Sequence, residues 1–158
     1  MSLSTTAKTW RLTDDEATYL VERYRRPGPN NALATLVRNF ARAAIDVSDG
    51  LVGDIEKLCE VSHVGIEIDA GDVPFSAAAK KALAYDPALL PVLITAGDDY
   101  EVVLAVSEKS VEGFESESEA SGARFTALGT LLPAKKGVSV RDEAGKTLKI
   151  KDKGFKHF

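Results

Sequence analysis

The stretch Ile45-Asp46-Val47-Ser48-Asp49-Gly50-Leu51 constrains the chain more than any other. Ala43, Ala44 and Ile45 form a short apolar run suited to a buried strand. Downstream, Leu51, Ile55, Leu58 and Cys59 recur at helical spacing, with Asp54, Glu56, Lys57 and Glu60 between them. A strand, a tight acidic turn and a helix must therefore follow one another within a few residues. Ser48 is placed to cap the helix through its hydroxyl, and Asp49 to sit at the positive end of the helix dipole. Asp46 is left over, a carboxylate at the end of an apolar run and close to Asp49. Two anions on one strand-to-helix turn suit Mg²⁺, which keeps several waters and shares itself between one or two carboxylates and substrate phosphates. A helix start also offers N–H groups to phosphate oxygens. A capped turn and a metal-binding turn both fit the spacing.

Elements on either side follow from local chemistry. Thr13-Asp14-Asp15-Glu16 is a capping box, predicting a helix to about Arg25 with Ala17, Leu20, Val21 and Tyr24 on one face. Pro27-Gly28-Pro29-Asn30-Asn31 stops it. Arg23, Arg25 and Arg26 form the dense basic cluster, which a helix C-terminus favours through its dipole and a phosphate through its charge. A second helix is expected from about Ala32 to Ala41. Val64-Gly65-Ile66-Glu67-Ile68-Asp69 alternates as a strand with one solvated face. Ser76 is placed to cap a helix from about Ala77 to Tyr85, after which Asp86-Pro87 and Pro91 break the chain. His63, at a helix end, is given no role.

Gly97-Asp98-Asp99-Tyr100-Glu101 is the second acidic constellation. It opens onto Val102-Val103-Leu104-Ala105-Val106, an apolar run of the kind that fills a buried central strand. Carboxylates at the mouth of such a strand must be solvated, paired or bound to a ligand. A polar helix over Glu108 to Ser121 with Val111 and Phe114 inward, closed by Gly122, is expected next. A strand from Phe125 to Leu131 and a hairpin of Gly137–Arg141 with Thr147–Ile150 complete the body. The tail ends in Phe155 and Phe158, which predicts that it docks on the body or lines a site.

The 158 residues make one ordinary domain, and a formal charge of −4 offers no basic surface for nucleic acid or membrane. No run of about eighteen apolar residues occurs. Cys59 is the sole cysteine, which excludes an intramolecular disulfide and a cysteine-based zinc site and fits a reducing cytoplasm.

The order Ile45-Asp46-Val47-Ser48-Asp49-Gly50-Leu51, Gly97-Asp98-Asp99-Tyr100-Glu101, Gly154-Phe155-Lys156-His157-Phe158, with the Val73-Pro74-Phe75-Ser76 loop, resembles the C-terminal half of the thiamine-monophosphate kinases. These share their fold with aminoimidazole ribonucleotide synthetase. The resemblance implies a single α/β (α+β) domain, a mixed β-sheet with packed helices. It further implies ATP-dependent phosphorylation of thiamine monophosphate to thiamine diphosphate with Mg²⁺. Asp46 and Asp49 match metal ligands, Ser48 an ATP contact, and Glu101 and Phe155 substrate contacts; no residue matches a covalent catalyst. The family usually reads Gly-Gly-Glu-Asp-Tyr-Glu-Leu where this chain has Ala96-Gly97-Asp98-Asp99-Tyr100-Glu101-Val102, which raises a question of backbone geometry at Ala96.

The resemblance implies a domain over residues 11–158, preceded by residues 1–10 as a flexible segment or a remnant of expression. The family's N-terminal ATP- and metal-binding domain has no counterpart here. A cytoplasmic enzyme, homodimeric at full length, and a fragment inactive alone are the expectations. The competing readings are another ATP-dependent enzyme of the same superfamily, and a stand-alone nucleotide- or metal-binding module.

Overall fold

The architecture is that of a computed structural model, which describes residues 10–28, 33–150 and 154. Helix α1 (Asp14–Arg25) begins at the expected capping box: the Glu16 N–H donates to Thr13 Oγ1 at 3.2 Å, and the Thr13 N–H donates to Glu16 Oε2 at 2.7 Å. None of its residues is buried, and Tyr24, expected on its inward face, is exposed. Lys81 reaches across to Glu16 at 2.7 Å and ties its first turn to a later helix.

Helix α2 (Leu33–Phe40) runs without a loop into strand β1 (Ala41–Val47). After the acidic turn comes α3 (Leu51–Val61), then β2 (Val64–Asp69). Ser76 caps α4 (Ala77–Tyr85), its Oγ accepting from the Ala79 N–H at 3.2 Å. Pro91 starts a helix instead of breaking the chain: it lies in the first turn of the short α5 (Leu90–Thr95), where its missing N–H costs nothing. Strand β3 (Glu101–Val106), α6 (Val111–Ser121), β4 (Gly129–Pro133) and β5 (Val138–Arg141) follow. Gly122, at φ 70°, ends α6 in the left-handed conformation that glycine adopts most cheaply.

The mixed sheet is present as β4-β2-β5, with β2 antiparallel to β4 and parallel to β5. The remaining strands form a second, antiparallel pair, β1-β3. The expected hairpin after β5 is reduced to one bridge, Arg141 to Thr147, with the Leu148 N–H donating to the Val140 carbonyl at 2.8 Å. The strand expected over 125–131 lies a few residues later, at 129–133, where Gly129 passes so close to the Glu67 carbonyl that a Cβ would stand 2.1 Å from it.

Two hydrophobic clusters hold these layers together. The larger joins Val52, Ile55 and Cys59 of α3 to Ile66, Ile68, Ile94 and Val140. The smaller joins Leu33 and Leu36 to Phe114, whose ring meets Phe40 and Phe125 edge to face at 5.8 and 4.8 Å. The buried stripe of α3 is rotated from the expected one: Val52, Ile55 and Cys59 are buried, while Leu51 and Leu58 are only half-buried. On α6, Phe114 points inward as expected but Val111 is exposed.

The apolar run of β3 has an explanation other than a central position. Val102, Leu104 and Val106 pack on the Phe114 cluster, and Val103 packs on the α3 cluster. Both faces are therefore covered, although its one partner among the described residues is β1.

Candidate functional site

At the end of β1 the chain turns through Ser48 and Asp49 into α3. The helix N-cap is Gly50, at φ 117°, and no side chain caps the helix. The expectation that Ser48 is the cap is thus overturned, and the reason is Asp54. Its carboxylate is almost fully buried and reaches back to the turn, where Oδ2 accepts the Ser48 N–H at 3.0 Å and the Asp49 N–H at 2.9 Å. A buried carboxylate needs such donors. Those two turn N–H groups are consequently engaged and do not face a phosphate.

Lys57, one turn further along, donates to Asp54 Oδ1 at 2.9 Å and also to Asp49 Oδ2. These two carboxylates, Asp49 first, hold the Lys57 ammonium above its ordinary pKa of 10.5. Asp49 therefore pairs with a lysine as well as standing near a helix start. Asp46 is exposed on β1.

The second acidic segment packs directly on this turn. The Asp98 N–H donates to the Ser48 carbonyl at 2.9 Å, and the Tyr100 N–H to the Val47 carbonyl at 2.8 Å. In the β1-β3 register, Val47 stands opposite Glu101 and Asp46 opposite Val102. Glu101 and Asp46 thus lie at the same end of the β1-β3 pair, one register position apart and on alternate faces of it. The approach is close enough to need glycine: a Cβ on Gly97 would lie 2.3 Å from the Ser48 carbonyl oxygen, and one on Gly50 would lie 2.3 Å from that of Thr95. Ala96 takes φ −70° and ψ 142°, ordinary extended geometry, so alanine is accommodated there.

Asp98, Asp99 and Glu101 are all exposed. Asp99 is nonetheless crowded by protein. Lost hydration and the Glu101 charge push its carboxyl above the ordinary value of 3.8, with Arg23 opposing. Arg23, from the basic end of α1, donates through Nη2 to Glu101 Oε1 and to the Asp99 carbonyl at 3.3 Å. Gly154 also lies here: a Cβ on it would stand 2.9 Å from the Asp49 carbonyl oxygen. Phe155 lies outside the described residues.

Sequence reasoning missed Asp54 and Arg23. A faint signal for the first is an aspartate set between Val52 and Ile55 on the inward stripe.

A family model described as AIR synthase related protein, C-terminal domain, matches residues 2–142. The chain belongs to this family. Within it, the chain is 32% identical over 144 residues to the thiamine-monophosphate kinase of Escherichia coli K12, an alignment covering 90% of this chain and 43% of that protein. Among solved structures, the thiamine-monophosphate kinase of Stenotrophomonas maltophilia superposes with a TM-score of 0.72 at 27% identity, covering 85% of this chain and 41% of that one. A structure described as AaThiL complexed with AMPPCP and TMP gives 0.73 at 27% identity, covering 92% and 43%. The chain spans less than half the length of these relatives. It has the mixed α/β fold with packed helices that the family shares.

For a divalent cation, Asp46 and Asp49 supply hard carboxylate oxygens three residues apart. Among the described residues no three His, Cys, Asp or Glu side chains gather as a metal site. Mg²⁺ takes one or two carboxylates with phosphate oxygens and waters; Asp46 is open to solvent for such a role, whereas Asp49 Oδ2 is held by the Lys57 ammonium. No described helix is long and apolar enough to cross a membrane.

Proposed function

We propose that the chain is the C-terminal part of a thiamine-monophosphate kinase, transferring the γ-phosphoryl of ATP to thiamine monophosphate to give thiamine diphosphate. The observation that supports this is the joining of the two acidic turns at one sheet edge through the Asp98–Ser48 and Tyr100–Val47 backbone bonds. The match over most of the chain to a protein of that name, and to AaThiL complexed with AMPPCP and TMP, supports it independently.

Phosphoryl transfer asks a protein for positioning and charge neutralisation more than for covalent chemistry. Asp46 and Asp49 would hold Mg²⁺, which when bound offsets phosphate charge. Ser48, between them, would meet ATP with its hydroxyl, because its N–H is taken by Asp54. Glu101 would meet the cationic thiazolium or the aminopyrimidine by charge and hydrogen bonding, and Phe155 would stack on a ring. The remaining ligands for ATP and metal would come from an N-terminal domain in a cytoplasmic, homodimeric full-length enzyme.

Two measurements test this reading. Purified 1–158 is expected to show no transfer from ATP to thiamine monophosphate, and the full-length protein to show turnover; robust activity of 1–158 overturns the division of labour. In the full-length protein, Asp46→Asn and Asp49→Asn should each lower kcat/KM by at least about tenfold with little change in Tm. If Asp49 only pairs with Lys57, its loss costs no more than about 1 kcal/mol and leaves kinetics alone. Unchanged turnover and Mg²⁺ dependence in both variants removes the metal assignment.

A further inference from the structure

The basic end of α1 has a role that the helix dipole does not require. The helix buries none of its residues, and its two ends are held by polar contacts: Glu16 to Lys81 at the first turn, and Arg23 to Glu101 and the Asp99 carbonyl at the last. The segment that Arg23 grips is strained. Asp98 at φ 71° and Tyr100 at φ 52° both occupy the left-handed region, which is costly for a residue as bulky as tyrosine and persists only where surrounding contacts enforce it. The backbone bonds to Ser48 and Val47 fix the main chain of that segment. They leave the Glu101 side chain, itself exposed, to be oriented by something else. Arg23 does this from 78 residues away in sequence. Its guanidinium uses one acceptor position of a carboxylate that has about four, so Glu101 retains capacity for a ligand.

We propose that Arg23 is a positioning residue: it holds the Glu101 carboxylate and the Asp98–Glu101 turn in the orientation in which Glu101 meets the substrate. The inference rests on the reading of Glu101 as a substrate contact. It explains why an arginine on a surface helix turns back onto an acidic loop. A preorganised carboxylate loses less rotamer freedom on binding than a mobile one, so the gain appears in substrate affinity.

The test compares Arg23→Gln and Arg23→Lys with Arg25→Gln, the same charge change two residues along the exposed end of the helix. In 1–158, ¹³C relaxation of the Glu101 side chain and titration of the Asp99 carboxyl are read by NMR. Asp98, Glu101 and Arg23 are the charged groups facing Asp99. Arg23→Gln should mobilise Glu101 and raise the Asp99 midpoint, Arg23→Lys should do so less, and Arg25→Gln should do neither. In the full-length protein, Arg23→Gln should raise KM for thiamine monophosphate about tenfold, the scale of a lost charge-assisted hydrogen bond. KM for ATP should stay within about twofold, since uniform binding of the other substrate is untouched, and Arg23→Lys should recover part of the loss. Unmoved Glu101 relaxation, or an unmoved thiamine-monophosphate KM in an active enzyme, overturns the inference and leaves the proposed function standing. An unmodified full-length protein that does not phosphorylate thiamine monophosphate overturns the proposed function instead, and with it the substrate assigned to Glu101.

Discussion

The Ser48–Asp54 turn and the Asp98–Glu101 turn touch each other and are both acidic, yet they are built by opposite means. In the first, a buried carboxylate is satisfied by two backbone N–H groups and a lysine, all within ten residues of sequence. In the second, exposed carboxylates crowd one another, two residues sit in the left-handed region, and the partners come from β1 and α1. The first turn is a scaffold stabilised by its own polar groups. The second is held in a conformation that it would not keep alone, which is the usual condition of a segment that must present charge to a ligand.

The largest expected effect lies in the first turn. Asp54→Ala removes the acceptor for two N–H groups and one partner of Lys57, and should cost about 3 kcal/mol in urea denaturation of 1–158. A loss below about 1 kcal/mol would falsify its part in the scaffold. Next comes the seam between the turns. Gly97→Ala forces a methyl against the Ser48 carbonyl, which is backbone and cannot swing aside, so a loss of about 1–3 kcal/mol is expected. Its Asp98 and Tyr100 amides should also exchange faster with solvent; unchanged exchange would mean that the seam yields more easily than the contact implies.

The smallest effect, and the one of opposite sign, belongs to Asp99. A carboxyl held above its unfolded value binds its proton more tightly in the folded state, so its ionisation subtracts stability, and that penalty is relieved as pH falls from the raised value through 3.8. Asp99→Asn should accordingly be at least as stable as the parent at pH 7, with the difference fading as pH falls from the raised value and gone below 3.8, a pH series of denaturation midpoints being the measurement. Lys57 shows the contrary linkage. Its raised pKa contributes stability that is present below 10.5 and is lost as pH rises through the folded value, an effect reduced by the half-exposure of its side chain.

What could be read from the sequence was what neighbours decide. The Thr13–Glu16 capping box, the Ser76 cap and the Gly122 stop each involve groups three or four residues apart, and all stand where expected. Both acidic turns were visible as strand ends. The N-cap was misplaced because Ser48 satisfies the local rule for a cap, whereas Asp54 competes for the same turn from inside the helix, where an aspartate looks like any polar residue. Arg23 could not be matched to Glu101, since nothing local distinguishes a guanidinium at a helix end from one reaching across 78 residues. The division of strands into two sheets was hidden for a similar reason: a run apolar on both faces reads as a central strand, although two separate clusters cover β3 here.

That double cover fixes more than packing. Because Val102, Leu104 and Val106 belong to one cluster and Val103 to the other, sliding β3 by a single residue along β1 would exchange the occupants of both interiors at once. Leu104 would have to leave the Phe114 cluster and Val103 the α3 cluster. The position of Glu101 opposite Val47 is thus set by which apolar side chains face which interior, and a polar end open to water inherits its alignment from that lock.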